Sequence, residues 1–491
     1  MKKAIYSLLV GTMMLASCSD YTEIQPKGMS LLNSAEELEL LFNQDMELAL
    51  RDLQYIGGSS FYSYGDILGG FAVENKSLST LRLGYFDDPG SIQRIEDLTT
   101  SDEYYSTCYS WVGTIANPVL TQLATASGTD AKKKQLKSEA LALRAYAHYL
   151  ILQKFAKAYN PSTAANDPGV IYLTEDVDIS VNQEKKTVQE CYDMALADIN
   201  AAIEEGGLPN TRANACRLSK VAGYAIKAHI CMAMQKYSEA EEAAKQALSI
   251  NGTIYDFWAN KVSETNRWGV TYEHSETNCM TCPEVYFCLP NYFYYMWISP
   301  ADWSDMEDGY YTKDLYNKVS NAYLGMPDEA REDPDNIPQD EKVGVPGWQS
   351  ANNLGGSNYD NTSGLNSPMM YLYVAECELR AGNIDNAMDY LDQLRKVRMS
   401  AEKYAPLKGT VKSKADGITW IKRVSFEENV WNGWNFMQRK RWNVESEWES
   451  TLSRTINGTT YTLSPKSDLW VYPFPQPARN ANPNLTSNKN Q

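Results

Sequence analysis

The chain has 491 residues, a formal net charge of −17 and an apolar share ordinary for a globular protein. That acidity argues against nucleic acid as a partner and against direct electrostatic adhesion to anionic lipid. Aromatics are plentiful and mostly amphipathic, 33 Tyr and 12 Trp against 11 Phe, which suits faces that pack on one side and stay wet on the other.

In chain order, residues 1–17 read as a signal peptide. Lys2 and Lys3 form the charged start, and Ala4 to Leu15 the apolar stretch, broken by Ser7, Gly11 and Thr12. That stretch is too short to span a bilayer, which needs roughly 20 residues. Leu15-Ala16-Ser17-Cys18 resembles a bacterial lipobox, cut before the cysteine. Cys18 is then the lipidation site, carrying acyl chains, palmitate among them, that anchor an exported chain without a spanning helix. Ser19 and Asp20 follow, and an acidic residue there resembles some surface-export signals.

Residues 18–33 are a polar, lipidated tether, and residues 34–491 a single domain. Asn33-Ser34-Ala35-Glu36-Glu37 predicts a capped helix start before Leu38, Leu40, Leu41 and Phe42. Residues 56–95 mix Gly57, Gly58, Gly65, Gly69 and Gly70 with Phe61, Tyr62, Tyr64 and Phe71, a loop with aromatics. A helix is expected over 101–126. The strongest helical signal is 138–160, rich in Ala and Leu and ending before Pro161. A loop follows over 161–186, then a helix from Thr187 to Glu205.

Residues 217–250 read as a helix-turn-helix of tetratricopeptide type, with Tyr224, Ala228, Cys231, Ala240, Ala244 and Ala247 at the small and apolar positions. The unit recurs at 367–400 through Tyr371, Ala375, Glu378, Ala387, Leu391 and Leu394, turning at Gly382-Asn383. A third copy is split, its first helix at 138–157 and its second carrying Ala195, Ile199 and Ala202. Between the copies lies a loop-rich insertion, 251–365, dense in Tyr and Trp, and 401–491 forms a C-terminal part. An insertion that long is functional or disordered, and its aromatic content argues against disorder.

These features together resemble the SusD/RagB family of outer-membrane nutrient-binding lipoproteins. The resemblance rests on the lipobox at Cys18, on Ser138-Glu139-Ala140 through Arg144-Ala145-Tyr146-Ala147-His148-Tyr149, and on Arg217-Leu218-Ser219-Lys220. It continues in Tyr371 to Glu376, Tyr472-Pro473-Phe474-Pro475, Asn482-Pro483-Asn484-Leu485 and Asn488. It implies a mostly α, SusD-like fold, with about four tetratricopeptide-type helix pairs forming a curved scaffold. It also implies an outer-membrane location facing the cell exterior, a SusC-like TonB-dependent barrel as partner, an oligosaccharide or peptide as ligand, and no enzymatic activity. One departure stands out. Where the family shows an Arg and an Asp three apart on a C-terminal helix, this chain has Asn435 and Gln438. A charged pair exchanged for two amides leaves no lone charge if the site is buried.

The residues themselves offer no nucleophile elbow, phosphate loop or HExxH. His148 and His229 fall inside predicted helices and read as structural. His274, Cys279, Cys282 and Cys288 are spaced loosely for zinc, and disulfide, metal and free thiols stay open for the three cysteines. Cys108, Cys191, Cys216, Cys231 and Cys377 read as packing residues. No cofactor is expected. Sugar rings stack on Trp and Tyr while their hydroxyls need Asp or Asn, so the candidate ligand residues are Tyr62, Tyr64, Asp66, Asn291, Tyr294, Trp297 and Trp303. The competing function is a cell-envelope interaction scaffold without a small ligand, which the aromatic insertion disfavours.

Overall fold

The computed structural model describes residues 32–43, 103–178, 180–265, 271–275, 280–291, 306–311, 313–314, 360–361, 364–429, 433–456 and 459–489. It is mostly helical. Helix α1 (Ala35–Glu39) opens at Ser34, whose hydroxyl accepts from Glu37 N while the Glu37 carboxylate returns to the Ser34 N–H, the reciprocal cap expected there. Helix α2 (Glu103–Ser110) runs through a π-turn, Trp111–Ala116, into α3 (Asn117–Gln122). The expected single helix is interrupted just ahead of Pro118, which has no N–H to give. Asn117 N–H reaches back five residues to Val112 O instead.

Helix α4 (Asp130–Phe155) is the centre of the fold, buried on nearly every side over its C-terminal half. It begins eight residues earlier than its apolar run, capped by Thr129, because Lys132, Lys133 and Lys134 form a polar first turn. Its partner α5 (Val188–Glu205) starts from a second capping box, Thr187 with Glu190, and buries Ala195, Ile199 and Ala202. Helices α6 (Lys220–Ala233) and α7 (Tyr237–Ile250) form the next pair, joined by three residues. Helices α8 (Ser367–Arg380) and α9 (Ile384–Arg398) form the third, turning at Gly382 with φ +89°, a left-handed geometry suited to glycine. Each pair packs on the next, α4 with α5, α5 with α6, and α7 with α8. Helix α10 (Lys414–Glu428) lies on α8 and α9, and α11 (Trp434–Trp442) follows. Among the described residues strands occur only as short two-stranded ladders.

Buried ion pairs tie these layers together, and they are made by the residues that carry the family resemblance. Glu139 on α4 receives Arg217 in two hydrogen bonds, 2.7 and 2.8 Å. Arg144, one and a half turns further along, forks onto Asp198 of α5 at 2.7 and 2.8 Å and also pairs with Glu175. On α8, Glu376 takes both guanidinium arms of Arg441 at 2.7 and 2.6 Å and the Trp442 indole N–H at 3.0 Å. Gln438 donates to Tyr373 Oη and accepts from Arg441, and Asn435 accepts from Arg439, so the two amides at the departure from the family pattern are buried and each serves an arginine.

The two described histidine side chains are packing elements. Leu173 N–H donates to His148 Nε2, so the ring's proton sits on Nδ1 and goes to Arg144 O at 2.9 Å. The ring stacks on Tyr172 at 3.7 Å. His229 lies under Trp434 at 4.0 Å and meets Tyr373 Oη at 2.6 Å.

Burial pushes His148 down to about 3, so the folded protein resists taking a proton that the unfolded chain accepts near 6.5. Burial alone would raise Glu376, yet Arg441 and Arg380 overcome it and hold the carboxyl at about 2. Both effects have one sign: stability is full above pH 6.5 and falls as the pH drops through the windows 6.5 to 3 and 4.5 to 2. Substituting Glu376→Gln leaves Arg441 buried beside a neutral amide. It should cost about 3–5 kcal/mol at pH 7 in denaturant melts and shrink the acid-dependent loss.

Candidate functional site

The C-terminal turn of α9 carries Arg395 and Arg398, one helical turn apart and both buried. Arg395 clamps Glu307 at 2.8 and 2.6 Å and also holds Asp392 and the Ala405 carbonyl. Arg398 binds Glu284 at 3.0 and 2.9 Å, Glu428 of α10 at 2.8 and 3.0 Å, and the Tyr255 carbonyl. Tyr310 donates to the same Glu428. Two arginines thereby fasten three separate parts of the insertion, near residues 255, 284 and 307–310, to the helical body.

Burial would depress a guanidinium, but the two carboxylates keep Arg398 charged, with its affinity for the proton raised further. Glu427, buried beside Glu307, is pushed well above the usual carboxylate range; its Oε1 accepts Glu307 N at 2.6 Å.

An aromatic group sits on this clamp. Phe257 lies 4.4 Å from the Arg398 guanidinium and stacks on Tyr311 at 4.8 Å. Trp258 meets Tyr311 edge-on at 5.6 Å, and its indole N–H donates to Arg398 O at 2.8 Å. That bond fixes a half-buried tryptophan at a rim. Lys261 hovers 4.6 Å over its ring.

Beside Trp258 opens a cleft of about 760 Å³, walled by three groups: Asp256 with Trp258, Asp308 and Gly309 with Asp314, and residues between Lys396 and Lys403. Tyr310 bridges Met399, and Ser400 N–H donates to Gly309 O at 2.8 Å, so the second and third walls are knitted by backbone. Asp256, Asp308, Asp314 and Glu402 line it together with Lys396, Lys403 and Ser400. An indole flanked by carboxylates, ammonium groups and a hydroxyl can stack on an apolar ring face and orient hydroxyls around it. The surplus of carboxylates disfavours anionic ligands.

The described lining of this cleft leaves the expected ligand residues untested. Tyr62, Tyr64, Asp66, Tyr294, Trp297 and Trp303 lie outside the described residues, as does Cys18. Asn291 is placed only by its backbone, pairing with Asp360 in a short ladder. Trp258 was visible among the insertion aromatics. The wall at 396–403 was not, because it reads as the end of a repeat helix. Cys282 and Cys288 pack with Val285 and Ala215 in a small apolar cluster, and Cys279 lies outside the described residues. Among the described residues no group of three or more His, Cys, Asp or Glu is arranged to hold a metal ion.

Residues 75–232 match the profile of the SusD-like family described as starch-binding and associating with the outer membrane. In three dimensions the chain resembles a SusD-like carbohydrate-binding protein from Bacteroides vulgatus, with a TM-score of 0.64 at 14% identity, covering 94% of this chain and 98% of that one. A SusD superfamily protein from Bacteroides fragilis gives 0.62 at 16%, with 93% and 100% covered. Surface glycan-binding protein A from Bacteroides uniformis gives 0.60 at 15%, with 93% and 99% covered. At these identities the likeness is one of fold, along nearly the whole chain. No curated protein matches the sequence.

Gly309 has φ +89°, and a Cβ there would lie 2.5 Å from the Lys403 Cβ. Gly309→Ala should therefore spread the two walls and cost about 1–2 kcal/mol from the left-handed backbone alone, seen as a lowered Tm.

Proposed function

We propose, from the premise that this chain belongs to the SusD/RagB family, that it is a cell-surface lipoprotein capturing an oligosaccharide and passing it to a TonB-dependent outer-membrane barrel. The observation that carries the reading is the cleft at Trp258. A half-buried indole, held by its N–H, borders a wide opening rich in hydroxyl-orienting groups. Among the described residues no helix is long and apolar enough to cross a membrane, in keeping with attachment through lipid at Cys18. The role is binding, not catalysis: the carboxylates most withdrawn from water, Glu139, Glu376 and Glu427, are engaged in holding elements together. Tyr62, Tyr64, Asp66, Asn291, Tyr294, Trp297 and Trp303 remain proposed contributors to the same ligand face.

Residues 19–491, titrated calorimetrically with neutral plant, host and microbial oligosaccharides and with mixed peptides, should bind one glycan class. Trp258→Ala should weaken that binding about 2- to 10-fold, the magnitude of one aromatic contact. Binding of peptides alone would replace the glycan reading, and silence across the panel would favour an interaction scaffold. In cells, Cys18→Ala should move the protein from the membrane fraction to the soluble one; retention at high salt would refute the lipid anchor.

A further inference from the structure

A second cavity, about 480 Å³, lies where the C-terminus of α4 meets α11 and the chain's tail. It shares no lining residue with the Trp258 cleft. Its inner wall contains Lys440, fully buried, whose ammonium donates to Gln153 O at 2.7 Å and Ala156 O at 2.6 Å. Both acceptors are backbone carbonyls, so the charge is not cancelled by a carboxylate in either bond. An ammonium has three N–H donors, and these bonds take two. One turn along, Asn443 turns a buried amide nitrogen, Nδ2, that has no hydrogen-bond partner. Buried donors are nearly always satisfied, so an unfilled one beside a cavity marks where an acceptor is to be placed.

The charges around the opening point the same way. Lys157, Lys466 and Lys489 join Lys440 on the lining, beside the carboxylates of Asp167, Glu449 and Asp468, and Lys157 is paired with Asp167 at 3.2 Å. In a chain of net charge −17, a cavity with four lysines against three carboxylates is a local exception. Its remaining walls mix Trp470 and Val471 with Asn160, Thr163 and Ser467, a lining for a small hydroxylated molecule. We propose that this cavity is a separate binding site for a sugar acid, its carboxylate received by Lys440 and Asn443 and its hydroxyls by the outer polar rim. Burial lowers the Lys440 ammonium to about 7, and a carboxylate brought against it would restore its charge.

The site stands apart from the Trp258 cleft, and the test separates them. Residues 19–491 are titrated with glucuronate, with glucose and with inorganic phosphate, using wild type, Asn443→Leu, Lys466→Glu and Trp258→Ala. Lys466 is exposed, so its replacement leaves the fold intact even if Asn443→Leu does not fold. Saturable glucuronate binding is expected, unchanged by Trp258→Ala and weakened about tenfold by each cavity variant, as for loss of one hydrogen bond or ion pair to a charged group. Glucose should bind more weakly than glucuronate. No saturation at millimolar glucuronate, equal binding of phosphate, indifference to Lys466→Glu, or loss with Trp258→Ala would each overturn the proposal.

Discussion

A helix that ends inside a protein leaves its last carbonyls without water, and the 26-residue α4 ends this way. Everything around its C-terminus is arranged to meet that need. Leu152 O takes Ala156 N–H, Gln153 O and Ala156 O take the Lys440 ammonium, Lys154 O takes Tyr472 N–H, and Phe155 O takes the Asn488 amide. Lysine is well suited there, since the helix dipole concentrates negative potential at that end. Phe474 stacks on Phe155 at 5.5 Å and seals the junction. Lys185 then holds the tail through Thr486 and Asn488. The tail residues behind the family resemblance are thus the cap of the central helix.

The same helix organises its flank by charge. Glu139 and Arg144 project to different neighbours, Arg217 before α6 and Asp198 on α5, and fix how the pairs stack. Buried pairs of this kind add little net stability over apolar packing but strongly penalise any arrangement that separates them. The α9 arginines apply that rule a second time. By joining Glu284, Glu307 and Glu428 they fasten parts of the insertion to the body, and the Trp258 cleft opens beside those attachments. A candidate ligand site built from loops is here positioned by a helix end.

Local features were legible in the sequence because they depend on neighbours along the chain. The Ser34 and Thr187 caps, the Gly382 turn and the small-residue faces of α5, α6, α7 and α9 follow from spacing alone. The early start of α4 was hidden by its lysine-rich first turn, and the π-turn by the residues before Pro118. The cleft was not legible: Arg398 meets Glu284 across 114 positions, and Trp258 meets Arg398 across 140, pairings that no periodicity announces. The resemblance supplied the fold class, whereas most of the ligand residues chosen from aromatic density lie outside the described residues.

The central claim is that the Trp258 cleft is where glycan is held. Hydrogen–deuterium exchange with and without the glycan that binds tests it most directly. The account predicts slower exchange in the three wall segments, around residues 256–261, 308–314 and 396–403, and no change along α4. Protection confined to other segments, with these walls exchanging as in the free protein, would contradict it.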